Sequence, residues 1–463
     1  MKAKSIPSSW ISRDGLRLDC NPYMSGALEA RIKLEELPYP KEKLASLCSN
    51  GIDGIYHAGR ESRSWVEDSD LGVPFLSSSS ILAADLSGLP LISKRQVRRN
   101  PRFLLRKGWT LITRSGTIGR MVYSRPDMDG LACSEHVMRV VPDEAKIPPG
   151  YLYAFLSSKF GVPLVTSGTY GSIIQSIEPE HIAGLPVPRL GIDLEEQVSR
   201  LVELASGNRS DAAKRLEQAV SSVKDILGKD EEGPAGETPC AVVRSRSLQA
   251  RLDAFYYSPI SHKARRSFDT ATNCQHCLLS EVADVFIPGI FKRRYASDPS
   301  YGVPYITGGD VFQVSAMSDR YLMKRVAAEN ALQVKQGTIL VQEAGQLGGL
   351  IGRSVYVGAQ LDGFAVSNNM VRITSIDPKD AGYIYGLLST PEGVTLLSRE
   401  AAGSSIPHMD AGRLKAISIP WPHEDVRHKI SMIVDSAIDL RDKASEAEKK
   451  ARSLIERAIE EAT

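Results

Sequence analysis

Seven cations, Lys94, Arg95, Arg98, Arg99, Arg102, Arg106 and Lys107, crowd one short stretch of this 463-residue chain. A second group, Lys292, Arg293 and Arg294 with Arg320, Lys324 and Arg325, lies farther on. Clusters of this kind neutralise phosphates and give salt-dependent affinity for nucleic acid. The two do not fall at matching places, which suits two surfaces that meet different partners. A second chemistry sits in two segments that come after apolar β-type runs, Arg114-Ser115-Gly116-Thr117 and Gln342-Glu343-Ala344-Gly345-Gln346. Arg and Gln are the side chains that read guanine and adenine edges bidentately. Arg114, Ser115, Thr117, Gln342, Glu343 and Gln346 are therefore candidate base readers beside the phosphate-binding cations. The same residue types also suit ordinary turns and solvated surfaces.

Catalytic patterns are missing where they would be expected. The one Gly-Lys, Gly228-Lys229, is followed by Asp230, so it opens no phosphate-binding loop. The one Pro-Pro, Pro148-Pro149, sits in Ile-Pro-Pro-Gly and lacks the acidic or Asn-led flank and the aromatic of an adenine methyltransferase motif. Gly-x-Ser-x-Gly and His-Glu-x-x-His are absent. Gly345-Gln346-Leu347-Gly348-Gly349 has the wrong spacing for a dinucleotide loop. Cys274-Gln275-His276-Cys277 has a metal-like spacing, but no second close pair completes a four-ligand zinc site. The reading is of a chain with no catalytic residue, metal or cofactor of its own; a nuclease built on scattered carboxylates stays open.

The elements that must position these residues come in duplicate. Gly72-Val73-Pro74-Phe75-Leu76 is answered by Gly302-Val303-Pro304-Tyr305-Ile306, and Gly119-Arg120 by Gly352-Arg353. Ser134 and Arg139 are answered by Ser367 and Arg372, and Gly150-Tyr151-Leu152-Tyr153 by Gly382-Tyr383-Ile384-Tyr385. Arg17-Leu18-Asp19 has a counterpart in Arg251-Leu252-Asp253, and Gly171-Ser172 in Gly403-Ser404. Offsets stay between 230 and 234, which marks a whole-length tandem duplication.

Each copy ends in a long apolar-striped segment. From Val426 the residues Ile430, Ile433, Ala437, Leu440, Ala444, Ala447, Ala451, Leu454 and Ala458 come in steps of four and three, a heptad seam. Leu194, Val198, Leu201, Ala205, Ala212, Ala219 and Ile226 answer them 232 residues earlier. Strict register places Asn208 and Arg215 on the first seam; alternatively the stripe widens to Leu216, Val220, Val223 and Leu227. At about 1.5 Å per residue each helix would be roughly 54 Å long, a spacer rather than core. The natural mate of each is the other, paired antiparallel as a coiled coil, with the heads at the ends of a pseudo-two-fold dumbbell.

The fold class is α+β. The expected segments are a first domain at 1–190, a spacer helix at 191–228, a polar linker at 229–247, a second domain at 248–423 and a second helix at 424–463. Short β-rich runs, Trp109–Thr113 and Thr338–Val341, alternate with helices near 150–159 and 381–389. Charged residues at 24% and hydrophobic ones at 42% indicate globular domains. A net charge of +2 leaves only local basic patches for an anionic partner. Six cysteines, with no signal peptide and no long apolar run, point to a soluble cytoplasmic setting without membrane contact.

The order of these segments resembles the DNA-specificity subunit of type I restriction-modification systems. The resemblance rests on Gly302 to Asp310, the Gly-Thr-Ile-Leu-Val run from Gly337, Ser367-Asn368-Asn369-Met370-Val371-Arg372, and Leu185-Pro186-Val187-Pro188 leading to Leu194-Glu195-Glu196-Gln197. It implies two target-recognition domains held apart by an antiparallel helix pair, each reading one half of a bipartite site in double-stranded DNA. It further implies two adenine methyltransferase subunits carrying S-adenosylmethionine, with restriction subunits (translocase and nuclease) outside them. The second copy departs from the pattern, having Arg427-His428-Lys429 where the first has Glu195-Glu196-Gln197. Competing readings are a stand-alone DNA methyltransferase and a coiled-coil protein adaptor.

Overall fold

A computed structural model describes residues 4–13, 21–167, 176–228, 242–245, 248, 251–316, 318–403 and 405–462. Most of the linker expected at 229–247, together with Arg17-Leu18-Asp19, Gly171-Ser172 and Ser404, lies outside the described residues. Helix and strand are mixed throughout. By contact the chain forms two compact units, Met1–Ser210 with Lys443–Thr463, and Asp211–Asp442.

The first unit is organised by an antiparallel sheet in the order Ile55–Tyr56, Val137–Val140, Thr110–Thr113, Met121–Tyr123. The two inner strands are buried along their whole length, since both faces are covered. A second sheet runs Trp65–Val66, Leu91–Ser93, Gly72–Leu76, Ala132–Cys133, the last pair parallel. Lys41–Lys43 and Pro186–Pro188 close a two-stranded ribbon just before the long helix.

The second unit repeats the plan. Its larger sheet runs Ala283–Phe286, Met370–Ser375, Ile339–Gln342, Ser354–Tyr356. Its smaller one runs Tyr321–Met323, Gly302–Ile306, Ala365–Val366, and its ribbon pairs Gln275–Leu278 with Ser418–Trp421. Register matches as well: Leu111 lies opposite Arg139, and Leu340 opposite Arg372.

One short helix in each unit is buried on every side, Pro149–Leu156 and Ala381–Leu388. Each docks on a long helix, Ile192–Lys224 in the first case and Glu424–Glu461 in the second. Glycine makes the approach possible. A Cβ on Gly150 would lie 2.8 Å from Ser199 Cα, and one on Gly382 2.6 Å from Ser431 Cα.

The apolar stripes of the long helices differ from the expected seam at alternate positions. Val198, Val202, Ala205, Ala212, Ala219 and Val223 are buried on the first; Ile430, Val434, Ala437, Ala444, Ala451 and Ile455 on the second. Leu201, Ile433 and Leu454 are only partly buried. The cause is a second neighbour: each long helix packs on a domain helix as well as on the other long segment in its unit, so the buried face turns toward both. Arg209 therefore stands on the first stripe where strict register places Asn208, and Glu448 on the second where it places Ala447; Leu216 takes the place of Arg215 and joins Val223 and Leu227 in the second unit's core.

Within each unit the two long segments run in opposite directions. In the first, Val198 and Val202 share a core with Ile455 and Ile459, while Ala205 meets Ala444 and Ala447. In the second, Arg215 donates to Ser436, and Val223 shares a core with Ile430 and Val434.

Candidate nucleic-acid interface

The helix Lys94–Arg99 shows why part of the basic cluster faces outward. Ser93 caps it by accepting from the Arg95 amide, and Gln96 and Val97 are buried. The Gln96 amide donates to Ser62 O (2.9 Å) and Glu61 Oε2 (3.0 Å), and Asn100 donates to Ala58 O (2.9 Å) and Glu61 Oε1 (3.0 Å). With that edge anchored, Arg95 and Arg98 point to solvent and have no ion-pair partner among the described residues. Lys94 donates to Asp70 O, and Arg99 is held by Glu61 at 3.2 Å. The Gln96 and Asn100 amides and Arg99 hold the Glu61 carboxyl below its usual range. Arg102 lies over the Tyr56 ring and Arg106 is 3.7 Å from Asp129.

The second unit places a helix, Lys324–Glu329, after its matching strand. Lys324 and Arg325 stand 230 residues beyond Lys94 and Arg95, and Arg293 the same distance beyond Arg63. The expectation that the basic clusters do not coincide is thus corrected in part, since a Lys-Arg pair opens the same helix in both units. The remainder of each helix differs. Where the first carries Arg98 and Arg99, the second carries Ala328 and Glu329, and Glu329 ties Arg325 at 2.7 Å. Arg293 packs over Phe291 and donates to the Tyr305 hydroxyl, as Arg63 packs over Phe75. The Tyr305 hydroxyl raises the Arg293 pKa. Lys292 and Arg294 are exposed.

The strand-end candidates divide into inward and outward residues. Arg114 is buried at 5% exposure; its guanidinium donates to Ile177 O at 3.0 Å and pairs with Glu178. Glu343, at the matching backbone position, is also buried and meets His408 Nδ1 at 2.9 Å. The charged ends of both Arg114 and Glu343 are thus engaged inside the fold. Gln342 is half-buried and its amide donates to Ala344 O. Thr117 and Gln346 are exposed, and Ser115 shares a hydrogen bond with His136 Nδ1 at 2.6 Å. The loops differ in length. Gly119 N bonds Thr113 O in one unit and Gly352 N bonds Gln342 O in the other, so residues 114–118 are answered by 343–351.

Beneath each loop lies a buried arginine with no carboxylate partner among the described residues. Arg139 donates to the carbonyls of Ser134, Val137, Cys133 and Phe103; Arg372 donates to those of Ser367, Met370 and Val366. Burial pushes the Arg372 pKa down to about 10. These guanidiniums fix the turns that carry His136 and Asn369.

Sequence reading missed Arg63, His136 and His408. Arg63 pairs with Glu135 at 2.9 Å, and His136 Nε2 lies 3.4 Å from Glu135 Oε1. A usable signal was the alignment of the copies, which sets Arg63 against Arg293. The one group of possible metal ligands among the described residues is Asp377, Asp380 and His428, away from these loops, and Arg427 already engages Asp380 at 2.8 Å. Among the described residues no helix is long and apolar enough to cross a membrane.

Residues 275–452 match the family described as the Type I restriction modification DNA specificity domain. The resemblance read from the sequence is borne out over that stretch, which carries such a domain. No curated protein matches the chain. Among solved structures it is similar to the S subunit of a type I restriction-modification system from M. genitalium, at 13% identity and TM-score 0.31, over 91% of this chain and 94% of that one. It is also similar to the HsdS subunit from Thermoanaerobacter tengcongensis, at 13% identity and TM-score 0.28, over 92% and 97%.

Proposed function

We propose that this chain is the sequence-reading, non-catalytic subunit of a type I restriction-modification complex. Two target-recognition domains, 1–190 and 248–423, each read one half of a bipartite site in duplex DNA. The long helices, paired as an antiparallel coiled coil, set the distance between the halves in a dumbbell and dock adenine methyltransferase subunits. Methylation, with S-adenosylmethionine, and cleavage come from those partners and from restriction subunits, in the cytoplasm.

The observation that carries the reading is one strand plan occurring twice, each copy ending on a long helix, with the specificity-domain match on the second. Phosphate contacts fall to Lys94, Arg95, Arg98, Lys292 and Arg294; base contacts fall to Ser115, Thr117, Gln342 and Gln346. Arg114 and Glu343 position them, because their charged groups are engaged within the fold; Arg99 and Arg293, exposed though held by Glu61 and the Tyr305 hydroxyl, join the phosphate contacts.

Co-purification with a methyltransferase, then methylation mapping of host DNA, tests the proposal. A bipartite methylated motif supports it. Tight S-adenosylmethionine binding by the isolated chain in calorimetry would favour a stand-alone methyltransferase. Duplex binding without steep salt dependence would favour an adaptor.

A further inference from the structure

Glu343 and His408 form a pair whose two members are treated oppositely by the fold. The Glu343 side chain is 8% exposed and the His408 side chain 57%, with Nδ1 on the carboxylate at 2.9 Å. A carboxylate this deeply buried is costly unless it is paired, and this one is spent on orienting an exposed ring. Holding the loop does not require it. Ala402 and His408 exchange both backbone hydrogen bonds, at 2.8 and 2.9 Å, and Met409 N donates to Glu343 O at 3.1 Å. Gly345 N also reaches Pro407 O, so the segment is tied by backbone on both sides of the ring.

The pinned ring has defined chemistry. With the Nδ1 proton accepted by Glu343, a neutral imidazole leaves Nε2 as an acceptor directed away from the carboxylate. Ala344, next to Glu343, bridges to His408, so the ring stands at the root of the loop that exposes Gln346. The first unit has Ser176 at the matching position, and there the buried charge is reversed, with Arg114 on Glu178. The imidazole is therefore particular to the second unit.

Resting on the reading of the second unit as a DNA reader, we infer that His408 is a specificity-determining base contact. Its Nε2 accepts from the exocyclic amino group of an adenine or cytosine in one half-site, the donors of the major-groove edge. Glu343 is its positioning residue and does not itself reach the duplex.

The test uses the full chain assembled with its methyltransferase. Host DNA from the wild type gives the methylated motif, and duplex oligonucleotides with single base-pair changes then give discrimination at each position. His408→Ala should lower discrimination at one base pair of one half-site about tenfold, leaving the other half-site unchanged. Glu343→Gln should relax the same base pair and add nothing to His408→Ala, a non-additivity that a merely structural role would not produce. Thermal unfolding of each variant separates misfolding from misreading, and His408→Gln is the second substitution should alanine unfold the loop. A bipartite wild-type motif read with unchanged discrimination by folded His408 variants overturns this inference alone. A wild-type complex that methylates no bipartite motif overturns the reading beneath it.

Discussion

Gly382 lies against Ser431 so closely that a Cβ would sit 2.6 Å from the serine Cα and 2.9 Å from its carbonyl oxygen. The Ser431 hydroxyl accepts the neighbouring Tyr383 amide at 2.9 Å. The first unit repeats the contact, with the Gly150 amide donating to Ser199 at 3.1 Å. Because the obstructing atoms are backbone of a long helix, neither partner can step aside.

Gly382→Ala should therefore destabilise the second unit by about 1–3 kcal/mol, the usual cost of overpacking. Gly150→Ala should do the same in the first. Gly309, on a short helix with nothing within 4 Å of an added methyl group, serves as the control. Urea midpoints of the three alanine variants check this, with Gly309→Ala expected close to wild type.

Arg372→Met keeps an apolar stem of similar length but removes every donor to Ser367, Met370 and Val366. A buried carbonyl left without its partner costs about 1–3 kcal/mol, so the loss should be about 3 kcal/mol. Hydrogen exchange should locate it, with amides of the 367–370 turn losing protection more than those of Gln275–Leu278. Equal loss across the unit would mean that the arginine does not act through this turn.

The duplication was legible because it rests on glycines and apolar strands whose backbone constraints are local, such as Gly150 and Gly382. Side-chain direction was not. Arg114 and Glu343 occupy one backbone position at a strand end, and either charge looks like an offered reader; only the partner 64 or 65 residues away, Glu178 or His408, turns it inward. The helix seams show the same limit. A period of four and three is present, but from Val198 and Ile430 the buried residues step four then three rather than three then four; the choice between Leu201 and Val202 depends on the domain helix bearing Ser199's neighbour Gly150, which periodicity does not contain. The departure that sets Arg427 against Glu195 has a similar explanation: Arg427 anchors on Asp380, whereas in the first unit Glu195 receives Arg189 at 2.9 Å.

Arg95 and Arg98 should act on affinity without touching stability. Replacing both by alanine should weaken duplex binding across all sequences and lower the slope of log affinity against log salt by about two. Unfolding should shift by no more than about 0.5 kcal/mol. Arg114→Ala should show the opposite pattern, a clear loss of stability from the freed Glu178 and Ile177 partners. Fluorescence-anisotropy titrations across a salt series, paired with urea melts, distinguish the two.

Glu448 gives the first unit an acid-sensitive lock. It is 2% exposed, pairs with Arg209 and with Arg452 at 3.0 Å, and accepts from the Tyr153 hydroxyl. Burial alone would push its pKa up, but the two guanidiniums and the hydroxyl outweigh it and hold the carboxyl at about 2, against 4.5 for an unperturbed glutamate. A carboxyl depressed in the folded state contributes stability that is complete above the unfolded value and lost as pH falls toward the folded one. The window is thus pH 4.5 down to about 2, and the contribution is on the order of 3 kcal/mol. Glu448→Gln should lower stability at pH 7, because Arg209 and Arg452 lose their charged partner. Subtracting variant from wild type cancels the other titrating carboxylates, so the difference in unfolding free energy should stay constant from about pH 7 to 5 and shrink below about pH 4.5. A difference that stayed flat down to about pH 3 would mean that Glu448 is not held ionised by this cluster.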